Sequence, residues 1–304
     1  IADSNGIGGI FRALRTIPVL KDFTDDMAEV CPNAYFLNYT NPMAQLAGYL
    51  GRYTPIKSVG LCHSVQGCSR NLLKDLGIEY KEPLRESIAG INHMGWLLEL
   101  EDADGNDLYP EIRERAIAIL ESGKTDHHDL VRYEYIRRLG YYCTESSEHN
   151  AEYNDFFIKS KYPELIERYN IPLDEYPRRC INQIENWKKD REKYMHDDVT
   201  HTRTTEYASY IMEAIVTDIP YKIGGNVINN GLIPNLPAEA CVEVACLVNK
   251  NGIQPCAQKP LPLQLAAMNS AMIGVQLLTI EAAVTQKKET IYQAAMLDPH
   301  TSSE

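Results

Sequence analysis

Apolar residues recur at helical intervals over residues 10–30 (IFRALRTIPVLKDFTDDMAEV), directly after a glycine-bearing loop, so the pattern predicts a loop that enters a helix. A short apolar run at 34–37 stops at Asn38 and the Asn41-Pro42 pair, which reads as a strand running into a turn. Residues 43–49 read as helix, and 56–61 (IKSVGL) as a short buried strand that delivers Cys62 and His63 at its carboxyl end. A further helix is expected at 64–76. In the segment SIAGINHMGWLLELEDADGNDLY, β-type residues bracket Asn92-His93 and an Asp-Gly turn signal follows. Strands alternating with helices predict an α/β, doubly wound, Rossmann-like sheet, whose ligands sit outside the carboxyl ends of its strands.

From Pro110 the pattern changes. Helices are expected at 111–121, 129–139, 173–195 and 204–217, strands and turns at 224–244, and one or two long helices at 261–296. This predicts a boundary near residue 110, with the Rossmann-like part over residues 1–110 and a mostly helical α+β domain over 111–304. No internal repeat or low-complexity tract interrupts either part. The chain opens on IADSNGIGG, already inside a loop, and ends on MLDPHTSSE after a helical stretch with no stop signal, so further sequence is expected on both sides.

With 304 residues and 44% hydrophobic content, the chain can bury a sizeable core. A formal charge of −12 argues against a phosphate backbone as partner, so no nucleic acid is expected. There is no uninterrupted apolar run of bilayer length and no basic-then-apolar leader, which predicts no membrane association and a cytoplasmic location. Eight cysteines dispersed through so long a chain read as reduced thiols, most of them buried.

The sharpest chemical signal is Cys62-His63 together with His93. A thiolate and a neutral imidazole both ligate divalent transition metals, and each would leave a strand end facing one crevice. Two ligands suit a catalytic ion with positions open to substrate oxygens and do not suit a closed structural site. A small buried cysteine and two hydrogen-bonded core histidines explain the same residues. Asn38 and Asn41 offer amides to a sugar hydroxyl or a ribose, and are equally ordinary turn residues. Gly6, Gly8 and Gly9 precede a helix, a setting that admits a close-lying ligand, though the spacing is not that of a dinucleotide fingerprint. Asp3 reads as a loop carboxylate. The stretch TESSEHNAEY (144–153) is dense enough in glutamate, histidine and tyrosine to supply a general base, or to start a helix with a serine cap.

Taken jointly, IADSNGIGGIFRALRTIP, LNYTNPMAQ, VGLCHSVQG, GINHMGW, TESSEHNAEY and LPAEACVEVACLV resemble glycoside hydrolase family 4 in order and spacing, over essentially the whole chain. The resemblance implies a fold related to lactate and malate dehydrogenases, with NAD and a divalent metal, usually Mn2+, as cofactors. It also implies a mechanism outside the two-carboxylate scheme of ordinary glycosidases. NAD takes a hydride from carbon 3 of the sugar, a base removes the acidified proton at carbon 2, the aglycone is eliminated from carbon 1, water adds, and the hydride returns.

Carried over by position, the resemblance makes Cys62 and His93 the metal ligands and His63 the acid for the leaving group. Asn41 becomes a substrate-binding asparagine, and Asp3 a carboxylate that enhances the base. The tyrosine base of phosphosugar-cleaving members falls at His149, with Tyr153 at a neighbouring aromatic position, so either is a candidate. Gly8, Asn38 and Asn41 would lie toward the nicotinamide, and the strand and glycine fingerprint for the adenine end are not in this sequence. Cys-His-Ser in the metal block resembles the branch acting on non-phosphorylated sugars, and CHSVQG with INHMGW resembles its α-galactosidases. The implied partner is a small α-galactoside and the implied state a homo-oligomer, dimer or tetramer. A family 4 α-glucosidase or α-galacturonidase is the neighbouring alternative. A 2-hydroxy-acid dehydrogenase-like enzyme, which shares the Asn41-Pro42 turn, is an alternative from another class.

Overall fold

A computed structural model describes residues 4–197 and 201–301. The elements run α1 (Gly6–Val30), β1 (Tyr35–Asn38), α2 (Met43–Tyr53), β2 (Lys57–Gly60), α3 (Cys68–Asp75), β3 (Arg85–Ile91) and β4 (Met94–Glu101). They continue α4 (Tyr109–Glu121), α5 (Leu130–Leu139), β5 (Tyr142–Cys143), α6 (Ser147–Glu152), α7 (Glu164–Arg168), α8 (Glu175–His196) and α9 (Ala208–Thr217). The last are β6 (Tyr221–Ile228), β7 (Cys241–Asn249), β8 (Gly252–Pro255), α10 (Leu263–Thr285) and α11 (Lys288–Leu297).

The α/β class is as expected, with one difference in how the sheet is built. Strands β1 and β2 pair in parallel across α2, as a Rossmann-like unit requires. Every other pairing among the described strands is antiparallel. The order is β1-β2-β6-β7-β3-β4-β5, with β8 beside β7, so a pair from the second half of the chain inserts between β2 and β3. Strands from both sides of residue 110 therefore join one continuous sheet. Close approach fixes glycine at position 60, where a Cβ would meet Met43 Sδ at 2.4 Å and Asn226 Cβ at 2.8 Å, just where β2 first touches β6.

The main core lies between this sheet and its helices, around fully buried Trp96, Tyr207, Val242 and Leu265. Each large apolar side chain buried there contributes on the order of 1.5–3 kcal/mol. Trp96 also donates its indole N–H to Asn269 Oδ1 at 2.7 Å, and Asn269 donates to the Met94 carbonyl at 2.9 Å, tying α10 to β4. Helix α10 is long and apolar enough to cross a membrane, but it buries Asn269, Gln276 and Thr279 with its apolar residues and packs on α1, α2 and α11. That is the behaviour of a core helix. Helix α8 buries none of its residues and carries exposed Ile181, Ile184, Trp187 and Tyr194.

Candidate active site

Because β1 and β2 are parallel neighbours, the loops that follow them open at the same edge of the sheet. In the first loop Asn38 is buried and acts as turn-former. Its Oδ1 accepts from the Thr40 amide at 3.2 Å, and its Nδ2 donates to the Thr40 carbonyl at 3.1 Å and lies 3.3 Å from Met43 Sδ. Asn41, joined to Pro42 by a cis peptide bond, accepts at Oδ1 from the Met43 amide at 3.1 Å and the Ser4 hydroxyl at 3.4 Å. The start of α1 thus meets the end of β1 through this bond. Gly8 lies exposed in the first turn of α1, while the Gly6 N–H is taken by the buried Asp298 carboxylate at 2.9 Å. Asp3 lies outside the described residues.

The second loop carries Cys62 and His63. The Ser64 hydroxyl donates to Cys62 Sγ at 3.1 Å, and Tyr207 Oη donates to the Cys62 carbonyl at 2.9 Å. Burial, with the charges of Glu243 and Glu145 behind it, pushes the Cys62 thiol up to about 12. His63 points the other way, toward solvent. Its ring stacks on Tyr39 with centroids 5.3 Å apart and its Nε2 lies 2.7 Å from Glu206 Oε2. Hydrogen bonds from Tyr39 and then His63 hold the Glu206 carboxyl below its ordinary range.

His93 sits in the two-residue turn between β3 and β4, at φ 61°, and is 4% exposed. Its Nδ1 is buried without a hydrogen-bond partner among the described residues. Thr144 bonds back to Gly95 through its main-chain amide at 2.7 Å, and this continues the β4–β5 pairing to the foot of the turn. Glu145 therefore emerges beside His93. Cys62, His93 and Glu145 bring their donor atoms within 4.8 Å of one another.

Helix α6 brings the remaining expected residues to this cluster. Ser146 caps it by accepting from the His149 amide at 3.3 Å, and the same hydroxyl lies 3.0 Å from His149 Nδ1. The serine cap expected in this stretch falls at Ser146. The His149 ring stands edge-on to His93 with centroids 5.0 Å apart. Tyr153 is buried, its ring 6.3 Å from that of His93, and its hydroxyl donates to the Asn92 carbonyl at 3.1 Å.

Sequence reasoning missed four participants: Tyr39, Glu145, Glu206 and Glu243. Of these, Glu145 lies in the TESSEHNAEY stretch already singled out for its glutamates, and Glu243 shows as the lone charge in the apolar strand VEVACLV. Its Oε1 accepts from Asn226 at 2.9 Å, its Oε2 has no hydrogen-bond partner among the described residues, and burial pushes its carboxyl up to about 7. A cavity of about 680 Å³ opens between His63 and Glu243 and is lined also by Arg70, Glu86, Tyr210 and Lys222. Its size suits a small sugar ligand.

The arrangement presents a soft and a nitrogen donor to one point in a partly buried site, with the His149 imidazole beside His93 and the His63 imidazole on the solvent side of Cys62. It suits acid–base chemistry on a small molecule around a divalent cation. Comparison with known proteins agrees. Residues 1–78 match the model of the family 4 glycosyl hydrolases, and residues 88–301 that of the family 4 glycosyl hydrolase C-terminal domain. The chain is 60% identical to an alpha-galactosidase of Bacillus subtilis (strain 168), over 100% of this chain and 69% of that protein. The crystal structure of the Bacillus subtilis lplD protein superposes with a TM-score of 0.86 at 25% identity, covering 98% of this chain and 72% of that one. A 6-phospho-alpha-glucosidase from gut microorganisms, solved in complex with NAD and Mn2+, has the same fold, with a TM-score of 0.76 at 21% identity over 98% of this chain and 70% of that one.

Proposed function

The chain belongs to family 4 of the glycosyl hydrolases, and from that premise we propose that it hydrolyses α-galactosides with NAD and Mn2+ as cofactors. The observation that carries this reading is the convergence of Cys62 and His93 beside His149, in a chain so similar to an α-galactosidase throughout its length.

The residues present fit both groups. A half-buried thiol held protonated, next to a buried imidazole whose Nε2 lies 3.6 Å from the Glu145 carboxylate, is a donor set that a cation would complete. Cys62 and His93 would hold it. Exposed Gly8 and the neighbouring Ser4–Asn41 contact would take the nicotinamide end of the dinucleotide, and Asn38 shapes the turn there through its own bonds. When bound, the two groups supply a reversible hydride acceptor and Lewis-acid polarisation of the sugar's oxygens.

The protein's own residues then move the protons. Glu206 holds the His63 ring at Nε2, which leaves Nδ1 as the nitrogen that serves the departing sugar oxygen. His149, held by Ser146 and facing His93, takes the proton from carbon 2. Tyr153 is the less suited base because its hydroxyl is anchored on the Asn92 carbonyl, and it supports the turn that carries His93. Asp3 is kept as the carboxylate that assists the base. The cavity beside His63 would seat the leaving group.

We place the protein in the cytoplasm as a homo-oligomer, dimer or tetramer. Eight unpaired cysteines suit a reducing compartment, and the apolar exposed stripe of α8 suits a subunit contact. The test of the function is an assay of a chromogenic α-galactoside with NAD, Mn2+ and a thiol reductant. Turnover should require all three, and unchanged turnover after chelation and removal of NAD would reject the reading.

A further inference from the structure

Cys62 and His93 leave a third donor beside them without an assigned role. Glu145 Oε2 lies 3.6 Å from His93 Nε2 and 4.0 Å from Cys62 Sγ, and Oε1 lies 4.0 Å from His149 Nδ1. The carboxylate stands among three partners at more than the ~2.7–3.2 Å of an N–H···O hydrogen bond. The separations instead match ligands sharing one ion. Bonds of roughly 2.0–2.3 Å, at angles between right and tetrahedral, set neighbouring donors about 3–4 Å apart.

The surrounding structure aims this side chain. Glu145 adopts φ 69°, a region that residues other than glycine seldom occupy, which turns its side chain back toward the β3–β4 turn. The bonds between Thr144 and Gly95 fix the residue before it. Arg132 of α5 donates to the Glu145 main-chain carbonyl. Arg132 is in turn held by Asp129 and by the face of the Tyr142 ring, 4.5 Å from the guanidinium carbon. Asp129 is locked by Tyr142 Oη at 2.7 Å and Ser147 Oγ at 3.1 Å. This network grips the backbone of Glu145 and directs its carboxylate to the thiol and the imidazole. Charge is consistent with the geometry, since one thiolate, one carboxylate and one neutral imidazole balance a divalent ion.

We infer that Glu145 is a third protein ligand of the divalent cation, making a thiolate–imidazole–carboxylate set, and that Arg132 is its positioning residue. This rests on the reading that Cys62 and His93 hold the cation. A hard carboxylate oxygen beside the soft sulfur explains how such a site would accept Mn2+, whose preference runs to oxygen donors.

Titration calorimetry of Mn2+ into metal-stripped, NAD-loaded protein tests it, with circular dichroism melting of each metal-free sample alongside. Glu145→Gln should weaken Mn2+ binding at least about tenfold, and Glu145→Asp should recover part of the loss. The metal-free Gln variant should melt at or above the wild-type temperature, because it removes a charge from an anionic site. Arg132→Lys should weaken Mn2+ binding less than Glu145→Gln does. If Glu145→Gln binds Mn2+ with wild-type affinity while Cys62→Ser loses it, Glu145 is not a ligand and the two-residue site stands. If Cys62→Ser also keeps wild-type affinity, or if the wild type binds no Mn2+, the underlying reading fails and the inference falls with it.

Discussion

Among single residues, the burial of charge decides most of the chemistry. Cys62 is held protonated by burial, so in metal-free protein it should resist alkylation by iodoacetamide at pH 8 while exposed Cys31, Cys180 and Cys256 react; rapid loss of the Cys62 thiol in peptide mapping would contradict this. Glu243 gives a pH signature. Its folded-state value near 7 exceeds the unfolded value near 4.5, so the native state binds its proton more tightly. Stability from this group is present below pH 4.5 and is lost as pH rises toward 7, by roughly 3 kcal/mol in total. Glu243→Gln, which keeps the acceptor for Asn226, should raise the melting temperature of metal-free protein at pH 8 and do little at pH 4.5. Equal effects at both pH values would count against burial as the cause. For His63, replacement by alanine should slow hydrolysis of melibiose-type sugars far more than that of a nitrophenyl galactoside, whose leaving group needs no proton. Cys62 and His93 were legible in the sequence because each is a polar residue terminating an apolar run. Glu206 and Tyr39 were not, since their local patterns match any surface residue, and Glu145 was visible only as one glutamate of the TESSEHNAEY stretch, because its approach to Cys62 and His93 is made by residues remote in sequence.

Secondary-structure elements were legible where local periodicity was strong. The helices α1, α2 and α10 and the strands β1 to β4 fall within a few residues of the expected positions. The two-residue strand β5 and the five-residue α7 are too short to carry a period, and they went unseen. The insertion of β6 and β7 between β2 and β3 was also hidden, because strand order depends on pairings remote in sequence. Those strands matter to function, as β7 carries Glu243 and β6 carries its partner Asn226. A side-chain bond also joins elements far apart in the chain. Asn269→Ala should leave the Trp96 indole unpaired in the core, remove the bond to the Met94 carbonyl, and cost about 2–4 kcal/mol in urea unfolding. A loss below about 0.5 kcal/mol would show that α10 is held by apolar packing alone.

Across the whole molecule, the sheet edge collects residues from separate stretches into one site: the β1 loop, the β2 loop, the β3–β4 turn and the segment from Glu145 into α6, with Glu206 ahead of α9 and Glu243 of β7 beside them. The exposed stripe on α8 belongs to this scale too. Light scattering should find a dimer or tetramer, and Ile184→Glu with Trp187→Glu should lower the mass, whereas a monomeric wild type would remove α8 from any interface. In the proposed reaction a base beside a bound cation removes the proton at carbon 2 of the sugar, and no carboxylate attacks carbon 1. Hydrolysis of an α-galactoside in deuterium oxide, with the released galactose read by NMR, distinguishes the two routes. One deuteron is expected at carbon 2 of the product, and galactose that keeps its original hydrogen there would contradict deprotonation at that carbon.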